Sequence, residues 1–114
     1  MKYIFILILL VQIQTLSSQQ ILEDHPLSKT IEETSGLEII DNMLITHNDS
    51  GGEPALYYLD KEGKIVDTRK ITGVKNNDWE DVTRDDEFIY VANMGNNFDT
   101  RKNLSILKIP IKKS

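Results

Sequence analysis

Two clusters of polar residues contain the side chains best suited to chemistry. The first runs from His47 to Glu53 and includes Asn48 and Asp49. Its oxygen atoms are ligands that a hard cation such as Ca²⁺ prefers, although their spacing differs from that of an EF-hand loop. Asn, Asp, Ser and Gly also favour a tight turn between strands, because their side chains bond to the backbone and glycine adopts positive φ. We therefore interpret this cluster first as a turn and second as a cation site.

The second cluster is Asp78-Trp79-Glu80-Asp81, which places three carboxylates around the only tryptophan of the chain. In an extended strand, Asp78 and Glu80 share one face while Trp79 and Asp81 share the other. Two carboxylates with different pKa values can act as general acid and base, and they can also ligate a metal ion. We favour a packing role for Trp79, because an indole ring buries a large area between neighbouring sheets.

Composition excludes several classes of function. The formal net charge is −5 and the chain has no Lys/Arg cluster, so nucleic acid is not expected as a partner. The absence of cysteine excludes a disulfide framework, a thiolate metal site and a cysteine nucleophile. The two histidines are too far apart in sequence for a zinc motif, and Ser50 lacks the Gly-x-Ser-x-Gly context of a serine hydrolase. A divalent cation such as Ca²⁺ is the one cofactor that the residues suggest.

The amino terminus has the order of regions found in a secretory signal peptide. Lys2 precedes an apolar run that ends at Val11, and small residues follow near Ser18. The run is about half the length that a membrane-spanning helix needs, so no stable membrane span is expected. We predict a cleaved signal over residues 1–18, a secreted or periplasmic protein, and an extended lead-in over residues 19–30.

The remainder alternates short apolar segments with turn residues, which is typical of antiparallel strands. No segment after the signal keeps a helical apolar period for three turns, so the predicted class is all-β. The clearest local feature is a hairpin whose turn, Asp60 to Gly63, places glycine at the left-handed position. The predicted strands are 35–40, 43–47, 55–59, 64–71, 79–83, 88–92 and 104–109.

The strands form two series that resemble each other at a spacing of 45 residues. Leu44–Asn48 aligns with Ile89–Asn93, and Gly36-Leu37 aligns with Asp81-Val82. With three inserted residues, the segment from Leu56 then aligns with the segment from Leu104. A period of this length with four strands per unit is typical of β-propeller blades.

The spacing predicts about two propeller-type blades of four antiparallel strands, over residues 31–73 and, incompletely, over residues 74–114. Propellers close with four or more blades, so these two are expected to belong to a larger propeller or to assemble with other protein chains. The alternative is a small β-sandwich in which the repeat arises by chance.

Four segments resemble the opening blades of exported bacterial β-propeller proteins in the NHL-repeat and SMP-30/gluconolactonase-like group. They are residues 33–37, 46–51, 56–63 and 77–81, and the resemblance covers about residues 31–111. The resemblance implies a propeller fold. It does not imply one activity, because the group contains lactonases, phosphotriesterases and other members. Lactonase-like members hold a divalent metal in the central channel, and among their ligands the resemblance matches only Glu33.

Together these arguments give two sets of candidate residues. The candidate metal ligands are Glu33, Asn48, Asp49, Asp78 and Glu80, and the candidate ligand-binding residues are His47, Trp79 and Asn93. The expected function is that of an exported binding or interaction module without activity of its own, whose partners are other chains or further blades. The alternative is a metal-dependent hydrolase that polarises an ester or a lactone through a cation.

Overall fold

A computed structural model describes residues 18–112 of the chain. The signal peptide predicted over residues 1–18 therefore lies outside the described residues, apart from Ser18. Within the described part, no helix is long and apolar enough to cross a membrane. The predicted lead-in has no regular secondary structure up to Ser28, whose side chain caps a single 3₁₀ turn at Lys29–Ile31. This turn leads directly into the first strand.

The described residues form two antiparallel sheets, which confirms the all-β prediction. In each sheet the strands follow chain order, so every connection joins neighbouring strands. The first sheet consists of β1 (Thr34–Ile40), β2 (Met43–Asn48), β3 (Ala55–Leu59) and β4 (Ile65–Lys70), and the second of β5 (Val82–Arg84), β6 (Phe88–Asn93) and β7 (Ser105–Pro110). The predicted hairpin is also confirmed, since Gly63 has φ 78° and closes the turn by donating its N–H to the Asp60 carbonyl at 3.1 Å.

The strand boundaries agree with the sequence to within one residue, except at β5. The predicted strand 79–83 begins only at Val82, because its pairing with β6 is irregular before that residue: the Ala92 carbonyl accepts the Glu80 N–H at 2.9 Å, and the Ala92 N–H donates to the Asp81 carbonyl at 2.9 Å. Trp79 donates its backbone N–H to the carbonyl of Asp49 at 2.7 Å, and its ring is fully buried. The segment therefore contacts the first sheet through Trp79 while Glu80 and Asp81 already lie beside β6.

One hydrophobic core lies between the sheets. The face of the first sheet that carries Ile45 (the Ile45 face) packs against the face of the second sheet that carries Ile89 and Val91 (the Val91 face). Trp79 belongs to the same cluster and is 0% exposed. Each such side chain contributes about 1.5–3 kcal/mol of transfer free energy, so this interface is the main source of stability. A smaller cluster around Ile31 covers part of the opposite face of the first sheet.

Three hydrogen bonds from the first sheet to β5 and the residues before it join positions that are 45 residues apart. Ser35 Oγ donates to the Glu80 carbonyl at 2.8 Å, Thr83 Oγ1 donates to Glu38 Oε2 at 3.2 Å, and Arg84 Nε donates to the Ile39 carbonyl at 2.6 Å. Gly36 shows the same spacing, because a Cβ at this position would lie 2.8 Å from Asp81 Oδ1. Positions that the repeat makes equivalent therefore contact each other along β1 and β5.

Strand register confirms the offset of 45 for the first two strands of each sheet and corrects it for the third. Leu37 pairs with Thr46 and Val82 pairs with Val91, as the alignment requires. Ile45 pairs with Tyr58 and Tyr90 pairs with Lys108, so five residues are inserted before the third strand, where the sequence suggested three. The error is an even number, so it leaves every side chain on its correct face.

The equivalent faces of the two sheets do not meet each other. Ile45 is equivalent to Tyr90, but the face that carries Tyr90 (the Tyr90 face) points away from the first sheet. Likewise the face of the first sheet that carries Leu37 (the Leu37 face) points away from the second. The sheets therefore stack with unlike faces in contact, and within the described residues the Tyr90 face and the Leu37 face each lack a sheet partner.

Candidate functional site

Three carboxylates meet where the two sheets join. Asp49 follows the end of β2, while Asp78 and Glu80 lie in the segment that enters β5. One ligand oxygen from each lies within 4.8 Å of the other two. Trp79 lies between Asp78 and Glu80 and its ring is buried. Asp78 and Glu80 both reach Asp49, as expected for side chains two positions apart in an extended segment.

Gly95 makes room for the carboxylate of Asp78. A Cβ at position 95 would lie 2.0 Å from Asp78 Cγ, so any side chain there would displace this carboxylate. The Gly95 N–H also donates to the backbone carbonyl of Asp78 at 3.1 Å, so the loop after β6 holds this residue from two sides. The sequence marked Gly95 as a loop residue and gave no sign of this contact, because the two positions come together only when the sheets stack.

The surroundings of Asp78 raise the pKa of its carboxyl. Burial raises the pKa of the Asp78 carboxyl above its usual value, and the hydrogen bond and negative charge of Asp49 raise it further, while Arg101 opposes the rise. Asp49 Oδ1 is buried and has no hydrogen-bond partner among the described residues. Two neighbouring carboxylates repel each other when both are ionised, and a bound cation would relieve this repulsion.

A polar cavity of about 310 Å³ opens beside the cluster. Its walls include Asp49 and Asp78 on one side and Phe98 and Arg101 on the other. Arg101 is held in place, since Nη1 donates to the Gly95 carbonyl at 2.7 Å and its backbone N–H donates to Asn96 Oδ1 at 2.8 Å. Sequence reasoning missed Arg101, because a single arginine in an irregular loop carries no pattern that distinguishes it from a solvated one.

The other two candidate metal ligands line a neighbouring depression. Glu33 is exposed, and its backbone carbonyl accepts the Asp49 N–H at 2.9 Å. Asn48 Nδ2 donates to the Thr30 carbonyl at 2.9 Å, whereas Asn48 Oδ1 is buried without a partner among the described residues. Both line the depression together with Ser50, Gly51 and Gly52. The structure thus divides the five predicted ligands into a cluster of three and a separate pair.

The three candidate binding residues are buried. His47 is 0% exposed, and its Nε2 accepts the Gly36 N–H at 3.3 Å while Nδ1 donates to the Asn48 carbonyl at 3.0 Å, which requires a neutral ring with the proton on Nδ1. The ring meets Trp79 edge-on at 6.0 Å, which confirms the packing role of Trp79. Asn93 Oδ1 accepts from Arg101 Nη2 at 3.1 Å, so Asn93 positions a wall of the cavity. Direct ligand binding by these residues stays a prediction.

The arrangement is suited to a hard divalent cation. Asp49, Asp78 and Glu80 can each supply one oxygen ligand, and the cavity gives access from solvent. The same carboxylates beside a polar cavity can also exchange a proton with a bound molecule.

Among known proteins, no family model matches this chain, and no curated protein or solved structure matches it either.

Proposed function

We propose that this protein is an exported, β-propeller-type binding module that holds a divalent cation, of the Ca²⁺ type, where its two sheets join. The observation that carries the proposal is the convergence of Asp49, Asp78 and Glu80 within 4.8 Å. The cation neutralises carboxylates that otherwise repel each other across the junction. Its binding is therefore linked to the stability of the contact between the sheets.

Distance and charge both support a calcium-sized ion. Calcium lies about 2.3–2.6 Å from its oxygen ligands, so two ligands of one ion are separated by up to about 5 Å. The separation of 4.8 Å within the cluster fits this limit. Three carboxylates and the nearby Arg101 carry a formal charge of −2, which one divalent cation balances. The unpartnered Asp49 Oδ1 supplies an oxygen that is already free of competing hydrogen bonds.

The contacts between equivalent positions support the propeller part of the proposal. Blades of a propeller stack in the same orientation around an axis, so each strand contacts its counterpart in the next blade. The strands β1 and β5 have this property, since hydrogen bonds such as that from Arg84 to Ile39 join positions 45 residues apart. A sandwich of two unrelated sheets would not require contacts between equivalent positions. The apolar segment after Lys2 supports export.

Calorimetric titration of the purified protein with Ca²⁺, together with thermal melts, tests the cation site. We expect a Kd of about 0.1–1 mM, the range of extracellular calcium modules. Saturating Ca²⁺ should then raise the free energy of unfolding by about 1–3 kcal/mol. Asp78→Asn and Glu80→Gln should each remove the binding heat and the rise in melting temperature, and a chelator should reverse both in the unsubstituted protein.

Two control variants make the test specific. Asp86→Asn removes the same charge from the exposed turn between β5 and β6 and should leave calcium binding unchanged. Glu33→Gln separates the cluster of three from the neighbouring depression, and it should also bind calcium normally. Because Asp78→Asn relieves repulsion from Asp49, this variant should remain folded, so its loss of binding cannot be attributed to unfolding. Calcium binding that survives Asp78→Asn, or no binding by the unsubstituted protein, would contradict the proposal.

A further inference from the structure

The two faces that lack a sheet partner carry exposed apolar side chains. On the Tyr90 face, Ile106 is 63% exposed and Phe88 is half-buried. On the Leu37 face, Leu37 is 61% exposed and Ile39 is 58% exposed. Ile31 packs over the outer strands of the Leu37 face, and the lead-in and Leu37 line one cavity of about 280 Å³ beside β1 and β2. Both faces therefore expose apolar surface close to the strands that already contact each other within the chain.

These two faces are the repeat counterparts of the two faces that form the core. The Ile45 face packs against the Val91 face. The repeat counterpart of the Ile45 face is the Tyr90 face of the second sheet, and the counterpart of the Val91 face is the Leu37 face of the first sheet. For example, Val82 on the Val91 face is equivalent to Leu37, and Ile89 is equivalent to Leu44. One chain thus contains a second pair of faces with the same relation as the pair in the core, and neither is covered by a sheet in the described residues.

A shallow cleft of about 110 Å³ lies on the Tyr90 face, between Thr83, Tyr90, Ala92 and Ile106. It lies open beside β5, the strand whose own residues contact β1 in the first sheet. Leu37 is an exposed apolar side chain on β1, the equivalent strand of the first sheet.

We propose that a second copy of this chain docks with its Leu37 face on the Tyr90 face of the first. The contact repeats the stacking that already joins the two sheets within one chain, and it continues that stack from one molecule to the next. A second copy is the occupant that the observations favour, because both halves of the contact are present in one sequence at one offset. The two surfaces differ, so the contact is heterologous, and copies close into a ring or extend into a chain.

Light scattering and sedimentation velocity on the purified protein test this proposal. We expect the average mass to rise above that of one chain across the micromolar range. Ile106→Lys places a charge on the Tyr90 face and Leu37→Lys places one on the Leu37 face, and each variant should be monomeric. Both side chains are more than half exposed, so circular dichroism melts should match those of the unsubstituted protein. Val66→Lys, at a 52% exposed apolar position on the distant strand β4, is the matched control and should still associate.

Mixing the two variants distinguishes this arrangement from a symmetric dimer. Leu37→Lys keeps an intact Tyr90 face and Ile106→Lys keeps an intact Leu37 face, so the mixture contains one productive pair of surfaces. We expect it to form a one-to-one dimer that grows no further. A protein that stays monomeric at all concentrations, a Leu37→Lys variant that associates by itself, or a mixture that remains monomeric would each overturn the proposal. Binding of an unrelated protein to the Tyr90 face without self-association would overturn it as well.

Discussion

The first two strands of each sheet are equivalent in the repeat, yet opposite faces of these strands are buried in the two sheets. Val82 is 4% exposed in the second sheet, whereas its equivalent Leu37 is 61% exposed in the first. Ile89 is fully buried, whereas its equivalent Leu44 is half-buried. Leu37 is the larger of its pair, so residue type does not explain the difference. The burial of a strand in this fold depends on whether another sheet lies over it.

The same contrast distinguishes the two acidic positions at the entry to each sheet. Glu33 and Asp78 are equivalent at the spacing of 45, and each precedes the first strand of its sheet. Asp78 meets Asp49, which the first sheet supplies, and it packs against Gly95. Within the described residues no earlier sheet supplies a carboxylate to Glu33, which is exposed. The carboxylate cluster therefore arises from the junction of two sheets and not from either repeat by itself.

The largest effect should come from breaking the buried side of the comparison. Ile89→Ala removes a fully buried side chain from the core between the sheets and should lower the free energy of unfolding by about 2–5 kcal/mol. Leu37→Ala, on the exposed face, should change it by about 0.5 kcal/mol or less in the monomer. Urea denaturation at low protein concentration measures both. Equal losses for the two variants would show that the Leu37 face is as buried as the Val91 face.

A second substitution breaks the contact between equivalent positions. A Cβ at Gly36 would lie 2.6 Å from the backbone N of Val82, so Gly36→Ala forces β1 and β5 apart. We expect a loss of about 1–3 kcal/mol in the free energy of unfolding. Gly52→Ala is the control, since a Cβ there meets Asn48 Cβ at an ordinary 3.7 Å. A Gly36→Ala variant as stable as the control would mean that the two strands need no close approach.

Much of the fold could be predicted from sequence, because strands and turns are local. Alternation located the strands, and Asp60 to Gly63 marked a hairpin turn by chemistry that acts within a few residues. The predicted start of β5 was wrong, since Glu80 and Asp81 both hydrogen-bond to Ala92 and the regular ladder begins only at Val82. The face of each sheet that becomes the core was also not readable, because Leu37 and Val82 follow the same local pattern.

The candidate site was predicted in part for the same reason. Asp78 and Glu80 reach one cluster because strand parity is a local property, and Asp49 was a candidate through its residue type. Gly95 and Arg101 were missed because they contribute only after the loop following β6 folds over the junction. Such contacts join residues far apart in sequence, and no spacing within either cluster contains them.

The smallest effect concerns the comparison between Asp78 and Glu33. The pKa of Asp78 is raised in the folded protein above its usual 3.8, chiefly by burial and then by Asp49. The protonated carboxyl therefore favours the folded state, and its contribution to stability is complete below the usual pKa and is lost as pH rises through the folded pKa.

In the presence of a chelator, Asp78→Asn should gain stability relative to the unsubstituted protein as pH rises from 4 to 7, by about one kcal/mol or less because the group is partly solvated. Glu33→Gln, at the exposed equivalent position, is the control, and urea denaturation at each pH is the measurement. With calcium present the gain should disappear, because the ion stabilises the ionised carboxylates of the unsubstituted protein; parallel pH curves for Asp78→Asn and the unsubstituted protein would mean that Asp49 and Asp78 do not interact.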